Sequence, residues 1–171
     1  QAFAQQRPQG VLLIVVPRHP ERFERVEKIV AGYNLSRCRR SQLPESLDQD
    51  MQLLLGDSLG EMQAFVAASD LCLIGGSLLP LGGQNPIEAC AQGRPVFFGP
   101  HMFNFESLAQ ELLDCGAGFR IASAHAFVHE AYELGRSLPR QRLCSQAARS
   151  FVEARQGATE KTLDVLDALI R

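Results

Sequence analysis

Neither sign of charge prevails in this sequence: 17 Lys and Arg stand against 19 Asp and Glu in 171 residues, a net charge of -2. A dedicated nucleic-acid binder carries a strong basic excess, so nucleic acid is excluded as the expected partner, and no acidic run marks a disordered tail. Long apolar runs are missing as well. None approaches the roughly 18 residues needed to span a bilayer, and Gln1 onward lacks the charged-then-apolar plan of a signal peptide, so the chain as it stands is expected to be soluble. The five cysteines, at positions 38, 72, 90, 115 and 144, are odd in number and never two residues apart, which suggests neither a disulfide framework nor a zinc pair. Internal repeats and low-complexity segments are also absent. What remains is one globular domain, with 46% hydrophobic residues to build a core, and too short for two independent domains.

The apolar residues come in short bursts. Residues 11–16, Val-Leu-Leu-Ile-Val-Val, form a continuous run that stops at Pro17, as expected of a strand buried on both faces in a parallel sheet. Similar runs at 51–55, 71–74 and 95–98 each lead into glycine, with helical patterns between them. This βαβα rhythm predicts a Rossmann-like, doubly wound parallel α/β sheet, followed by C-terminal helices. The predicted helices cover residues 21–32, 59–67, 85–92, 104–115, 124–136, 140–155 and 159–170. In such a sheet ligands bind beyond the carboxyl ends of the strands. Three loops leave predicted strands there.

The richest is Gly75-Gly76-Ser77-Leu78-Leu79-Pro80-Leu81-Gly82-Gly83-Gln84-Asn85-Pro86-Ile87-Glu88, with Asn85 at the N-cap of a helix and Pro86 at its first position. Glycines allow close approach of backbone to a phosphate, and Glu88, one turn inside, is placed to accept from ribose hydroxyls. Asn85 and Glu88 also have capping-box spacing, which stabilises a helix with no ligand at all. The second loop, Gly56-Asp57-Ser58-Leu59-Gly60-Glu61-Met62, offers the same two readings: Ser58 and Glu61 as a capping box, or the amides of Leu59, Gly60 and Glu61 against a nucleotide. The third, Pro17-Arg18-His19-Pro20, holds Arg18 between prolines, either as a planar fork for an anion or as a solvated turn residue. Other candidates are weaker. His101 is a lone loop histidine, His125 and His129 lack a third ligand, and the arginines at 136, 140, 142, 149 and 155 read as a solvated helix face.

Together with Gly99-Pro100-His101-Met102-Phe103-Asn104-Phe105, these loops resemble, in order and spacing, the carboxyl-terminal half of 3-deoxy-D-manno-octulosonic acid (Kdo) transferase; Gly157-Ala158-Thr159-Glu160-Lys161-Thr162-Leu163 resembles that family's terminal helix. The resemblance covers nearly the whole chain, 1–171, as a single nucleotide-sugar-binding domain. It implies the donor lobe of a two-lobed GT-B glycosyltransferase that moves Kdo from CMP-Kdo to a lipid A precursor, in lipopolysaccharide biosynthesis, at the cytoplasmic face of the bacterial inner membrane. By the same resemblance Pro17 and Arg18, Leu59, Gly60 and Glu61, and Asn85, Pro86, Ile87 and Glu88 are CMP-contacting positions. No cofactor and no metal are implied. The family's catalytic glutamate lies in the amino-terminal lobe, so no catalytic residue is expected in this chain, and the chain alone is expected to be inactive. Gln84 departs from the histidine usual before the asparagine. The rivals are another GT-B sugar-nucleotide enzyme, UDP-dependent transferase or epimerase, and a non-catalytic nucleotide-binding module.

The resemblance also implies a strand and helix before residues 11–16, of which residues 1–7 look like the tail. Their loss is expected to open a slot between 11–16 and 51–55. Direct pairing of those segments, exchange with a second copy to give a homodimer, or a retained partner segment would close it, and the second copy is the favoured expectation.

Overall fold

The computed structural model describes residues 1–6, 8–44 and 48–155; the helix expected over 159–170 lies outside them. The described residues form six short strands and seven helices: α1 (Ala2–Gln6), β1 (Leu13–Val15), α2 (Phe23–Ala31), β2 (Arg37–Arg39), β3 (Leu53–Leu55), α3 (Met62–Ala68), β4 (Cys72–Leu73), α4 (Ile87–Ala91), β5 (Val96–Phe98), α5 (Glu106–Asp114), β6 (Gly118–Arg120), α6 (Ala124–Arg136) and α7 (Leu138–Glu153). All pairings are parallel, as the helical spacers require. The strands form two three-stranded sheets, ordered β1-β3-β2 and β4-β5-β6, rather than one continuous sheet.

This arrangement corrects the expected slot. Residues 11–16 and 51–55 are direct neighbours, with Leu13, Ile14 and Val15 in register with Leu53, Leu54 and Leu55. The Leu13 N–H donates to Gln52 O at 2.9 Å and the Gly56 N–H to Val15 O at 2.9 Å. No second copy is needed to close that ladder. The interruption falls instead between the two sheets, whose end strands are β1 and β2 in one and β4 and β6 in the other. Burial follows position. The central strands β3 and β5 are buried throughout, whereas β1 is half-buried along its length and Leu12 and Leu73 are exposed.

Local chemistry explains most element boundaries. Pro17 has no N–H to extend β1, and Pro20 opens the 3-10 turn that runs into α2. Ser123 caps α6 by accepting the Ala126 N–H at 3.1 Å. Around β5 the core is aromatic: Phe97 stacks on Phe119 of β6 at 4.7 Å and meets the edge of Phe127 of α6 at 5.4 Å. On the other sheet α1 contributes Ala2 and Phe3 to the cluster under β1 and β3. It is also clasped to α6, with Gln6 Nε2 donating to His125 O and Gln5 Oε1 2.8 Å from His125 Nε2. His125 is thus engaged in helix packing.

The glycine-rich loop after β4 is braced from below by Ser77, which is fully buried. Its hydroxyl donates to Ile74 O at 2.6 Å and accepts the Gly99 N–H at 2.9 Å, and its carbonyl accepts the His101 N–H at 3.0 Å. Ser77→Ala strands two buried backbone groups, so it is expected to lower stability by about 1–3 kcal/mol, read as a lower urea midpoint with unchanged slope.

Candidate functional site

The loops after β1, β3 and β4 meet along the carboxyl ends of the strands. An Arg18 guanidinium nitrogen donates to Gln84 Oε1, joining the first loop to the glycine-rich one across 66 residues of sequence. A Cβ at Gly56 would lie 3.0 Å from Val16 Cγ2, so the second loop starts directly beside the first. Arg18, Leu59, Gly60, Gln84, Asn85 and Glu88 are all exposed, while Pro86 is buried. A hollow of about 90 Å³ is lined by Phe97, Phe119, His129 and Glu133, and contains none of the loop residues.

The glycines of the third loop do two jobs. Gly82 and Gly83 have φ of 86° and 75°, and a Cβ at either would lie 2.2 Å from Asn104 Nδ2 or 2.4 Å from Met102 Sδ. They are required for close packing of the loop on residues 102–104, which the reading as a phosphate cradle did not anticipate. The Asn104 N–H donates to Gly82 O at 3.2 Å and secures the same contact. Gly60 differs. Its φ is 78°, yet no atom lies within 4 Å of an added Cβ, so the space above it is open.

Neither expected capping box forms as drawn. Helix α4 begins at Ile87, two residues later than predicted, and Asn85 Oδ1 accepts the Ile87 N–H at 3.0 Å. Glu88 does not reciprocate: among the described residues its carboxylate has no hydrogen-bond or ion-pair partner, and it is exposed at the loop face. In the second loop α3 starts at Met62 rather than near 59, and the Ser58 hydroxyl donates to the Glu61 carboxylate instead of capping an N–H. The other Glu61 oxygen accepts from Arg40 at 2.8 Å. The Ser58 hydrogen bond first, and then the one from Arg40, hold the Glu61 carboxyl below its ordinary range.

Arg39, Arg40 and Ser41, at the end of β2, are site neighbours that the sequence reading missed, as is Asp57. Strand β2 reads Arg-Cys-Arg, a three-residue charged edge with no apolar run to mark it. Only the Ser36-Arg37-Cys38-Arg39 alternation hinted at it. Burial pushes the Asp57 carboxyl up, but hydrogen bonds from Ser41 and Arg39 outweigh it and bring the pKa from 3.8 to about 2. A folded pKa below the unfolded one stabilises the protein above about pH 4, and that contribution disappears as pH falls toward 2. Asp57→Asn is therefore expected to cost about 2 kcal/mol near neutrality. It should also flatten the fall in Tm on acidification, as followed by circular dichroism between about pH 5 and 2.

All five cysteines are free, and burial pushes Cys90 up to about 12 and raises Cys72 and Cys144, leaving them protonated and inert. Among the described residues no three His, Cys, Asp or Glu side chains converge to hold a metal ion, and no helix is long and apolar enough to cross a membrane. What these loops offer is one exposed arginine, Arg18, and a side-chain amide for anions, an unengaged carboxylate for hydroxyl donors, and an open glycine turn.

Comparison with known proteins gives the family. The chain is 35% identical to the C-terminal CMP-Kdo binding domain of WaaA from Acinetobacter baumannii, whose crystal structure superposes with a TM-score of 0.75 over 85% of this chain and 77% of that one. The chain belongs to the Kdo transferase family. Two further Kdo transferases agree: that of Bordetella pertussis is 41% identical over 156 residues, and that of Haemophilus influenzae 36% over 161. Those matches cover 91% and 92% of this chain but 36% and 37% of the relatives, so the chain spans about a third of their length. No protein-family model matches the chain. Gln84 has a visible role, because its side-chain carbonyl oxygen accepts from Arg18 and ties it to the glycine-rich loop.

Proposed function

We propose that this chain is the donor-binding part of a glycosyltransferase that moves Kdo from CMP-Kdo to a lipid A precursor in lipopolysaccharide biosynthesis. The whole protein works at the cytoplasmic face of the bacterial inner membrane. The observation that carries the reading is the match to a CMP-Kdo binding domain at 35% identity, on a chain whose three strand-end loops meet on one face.

In this reading Arg18 and the Gln84 amide beside it receive the donor's anionic groups, where a planar guanidinium gives paired charge-assisted hydrogen bonds. Glu88 accepts from the ribose hydroxyls. The open turn at Leu59, Gly60 and Glu61 admits the nucleotide against backbone. Pro86 and Ile87 place Glu88 at the rim, and the Ile87 amide, engaged by Asn85, becomes free for phosphate only when that side chain turns away. Catalysis then lies outside this chain: general-base attack by an acceptor hydroxyl needs a base held against the donor carbon, and the proposed site assigns none here.

The test is a fusion. Joined behind the amino-terminal part of the Bordetella pertussis relative, the chain is expected to support Kdo transfer from CMP-Kdo to a lipid A precursor, while the chain alone transfers nothing. Transfer by the chain alone, or a fusion that uses UDP-sugars in preference, would overturn the proposal.

A further inference from the structure

One carboxylate holds the ends of β2 and β3 together. The Asp57 side chain is 2% exposed and accepts three hydrogen bonds: from Arg39 Nε at 2.7 Å, from the Ser41 N–H at 2.9 Å and from the Ser41 hydroxyl at 2.6 Å. An ionised carboxylate has about four acceptor positions, so this one is nearly saturated. The donors lie on either side of Arg40, which pins the backbone at both its flanks. Arg40 then reaches the Glu61 carboxylate at 2.8 Å, and Glu61 in turn receives the Ser58 hydroxyl. Behind, Arg39 extends to Glu24 of α2 at 3.0 Å.

The burial of Asp57 sets it apart. The ion pairs Arg37–Glu27, Arg120–Glu106 and Arg155–Glu111 leave both partners between 26% and 57% exposed. Sealing a charge from water costs several kcal/mol, and an apolar contact of the same volume usually stabilises a fold as well or better. Removing such a carboxylate alone costs stability because its donors lose their partner, and while in place it also specifies one arrangement of its neighbours. Its neighbours here are the turn that meets the nucleotide and the arginine bonded to it.

We infer that Asp57 is a positioning residue of the donor site: through Ser41 and Arg39 it fixes Arg40, and through Arg40 it fixes Glu61 and the 58–61 turn in the arrangement that receives the nucleotide. The inference rests on the donor-site reading above. Neither Asp57 nor Ser41 touches the donor in this account; both act through the turn.

The experiment titrates CMP into the isotope-labelled chain and three variants, following amide shifts and hydrogen exchange. Asp57→Asn is expected to keep the spectrum of α5, α6 and α7, to bind CMP about tenfold more weakly or worse, and to exchange faster at 58–61. Ser41→Ala, which keeps the backbone donor and Arg39, moves both readouts the same way by less. Leu112→Ala, a core change in α5 at a fully buried position, lowers Tm but binds CMP like the parent. Unchanged affinity in Asp57→Asn overturns the inference, and so does Leu112→Ala weakening CMP as much for the same loss of Tm. If Asp57→Asn does not fold, Ser41→Ala decides, and parental affinity there overturns it. Failure of the parent chain to bind CMP overturns the donor-site reading itself, and the inference with it.

Discussion

Replacing Glu88 by glutamine is expected to weaken CMP binding by about ten- to a hundredfold and to leave Tm unchanged. The affinity follows from loss of a charged hydrogen bond to ribose, worth about 1.5–3 kcal/mol. The stability follows from the structure, where the Glu88 carboxylate is exposed and has no partner among the described residues. A capping role predicts the reverse pattern. Had Glu88 reached back to the Asn85 N–H, the substitution would lower Tm and leave CMP binding alone. Calorimetric titration beside a thermal melt separates the two, because each reading moves one measurement and spares the other.

Gly99→Ala is expected to be the most damaging single methyl in the described fold. A Cβ there would lie 2.3 Å from Ser77 O and 2.7 Å from Leu78 Cα, backbone atoms that cannot rotate aside. Movement of Ser77 would in turn disturb the bonds it makes to Ile74, Gly99 and His101, which seat the glycine-rich loop. The expected loss is about 3 kcal/mol or more, the upper end for overpacking, with CMP affinity falling as the loop shifts. By contrast, Gly10→Ala meets no atom within 4 Å and pays only for its φ of 68°. A urea midpoint for Gly99→Ala equal to that of Gly10→Ala would refute the packing argument.

How much of this was visible in the residues depends on which interactions decide each element. Residues 11–16, 51–55, 71–74 and 95–98 all contain strands, because two-sided burial demands continuous apolar runs and those runs are short and sharply ended. Strands β2 and β6 escaped. Arg37–Arg39 is a charged edge, and Gly118–Arg120 depends on pairing with Phe97 and Phe98 rather than on any pattern of its own. The helices expected from 59 and 85 start later, at Met62 and Ile87, because Ser58 and Glu61 bond to each other rather than to backbone and Asn85 serves the Ile87 N–H. The expected slot between residues 11–16 and 51–55 is closed for a topological reason: α2 and β2 intervene in sequence, yet β1 and β3 pair directly, and the interruption lies between two separate sheets.

The candidate site was legible in its loops and opaque in its supports. Arg18, the 59–61 turn and Glu88 stand out by residue type, next to glycine and proline at strand ends. Asp57, Arg39 and Ser41 do not, because what joins them is a hydrogen-bond network between segments 16 to 18 residues apart. Such a network leaves no periodic trace.

The most direct test of the account is chemical-shift mapping of CMP on this chain, with UMP in parallel. The account predicts saturable shifts confined to residues 17–18, 59–61 and 85–88 and their immediate neighbours, with CMP binding more tightly than UMP. Shifts gathered instead around Phe97, Phe119 and Glu133, or no response to CMP at all, would contradict it.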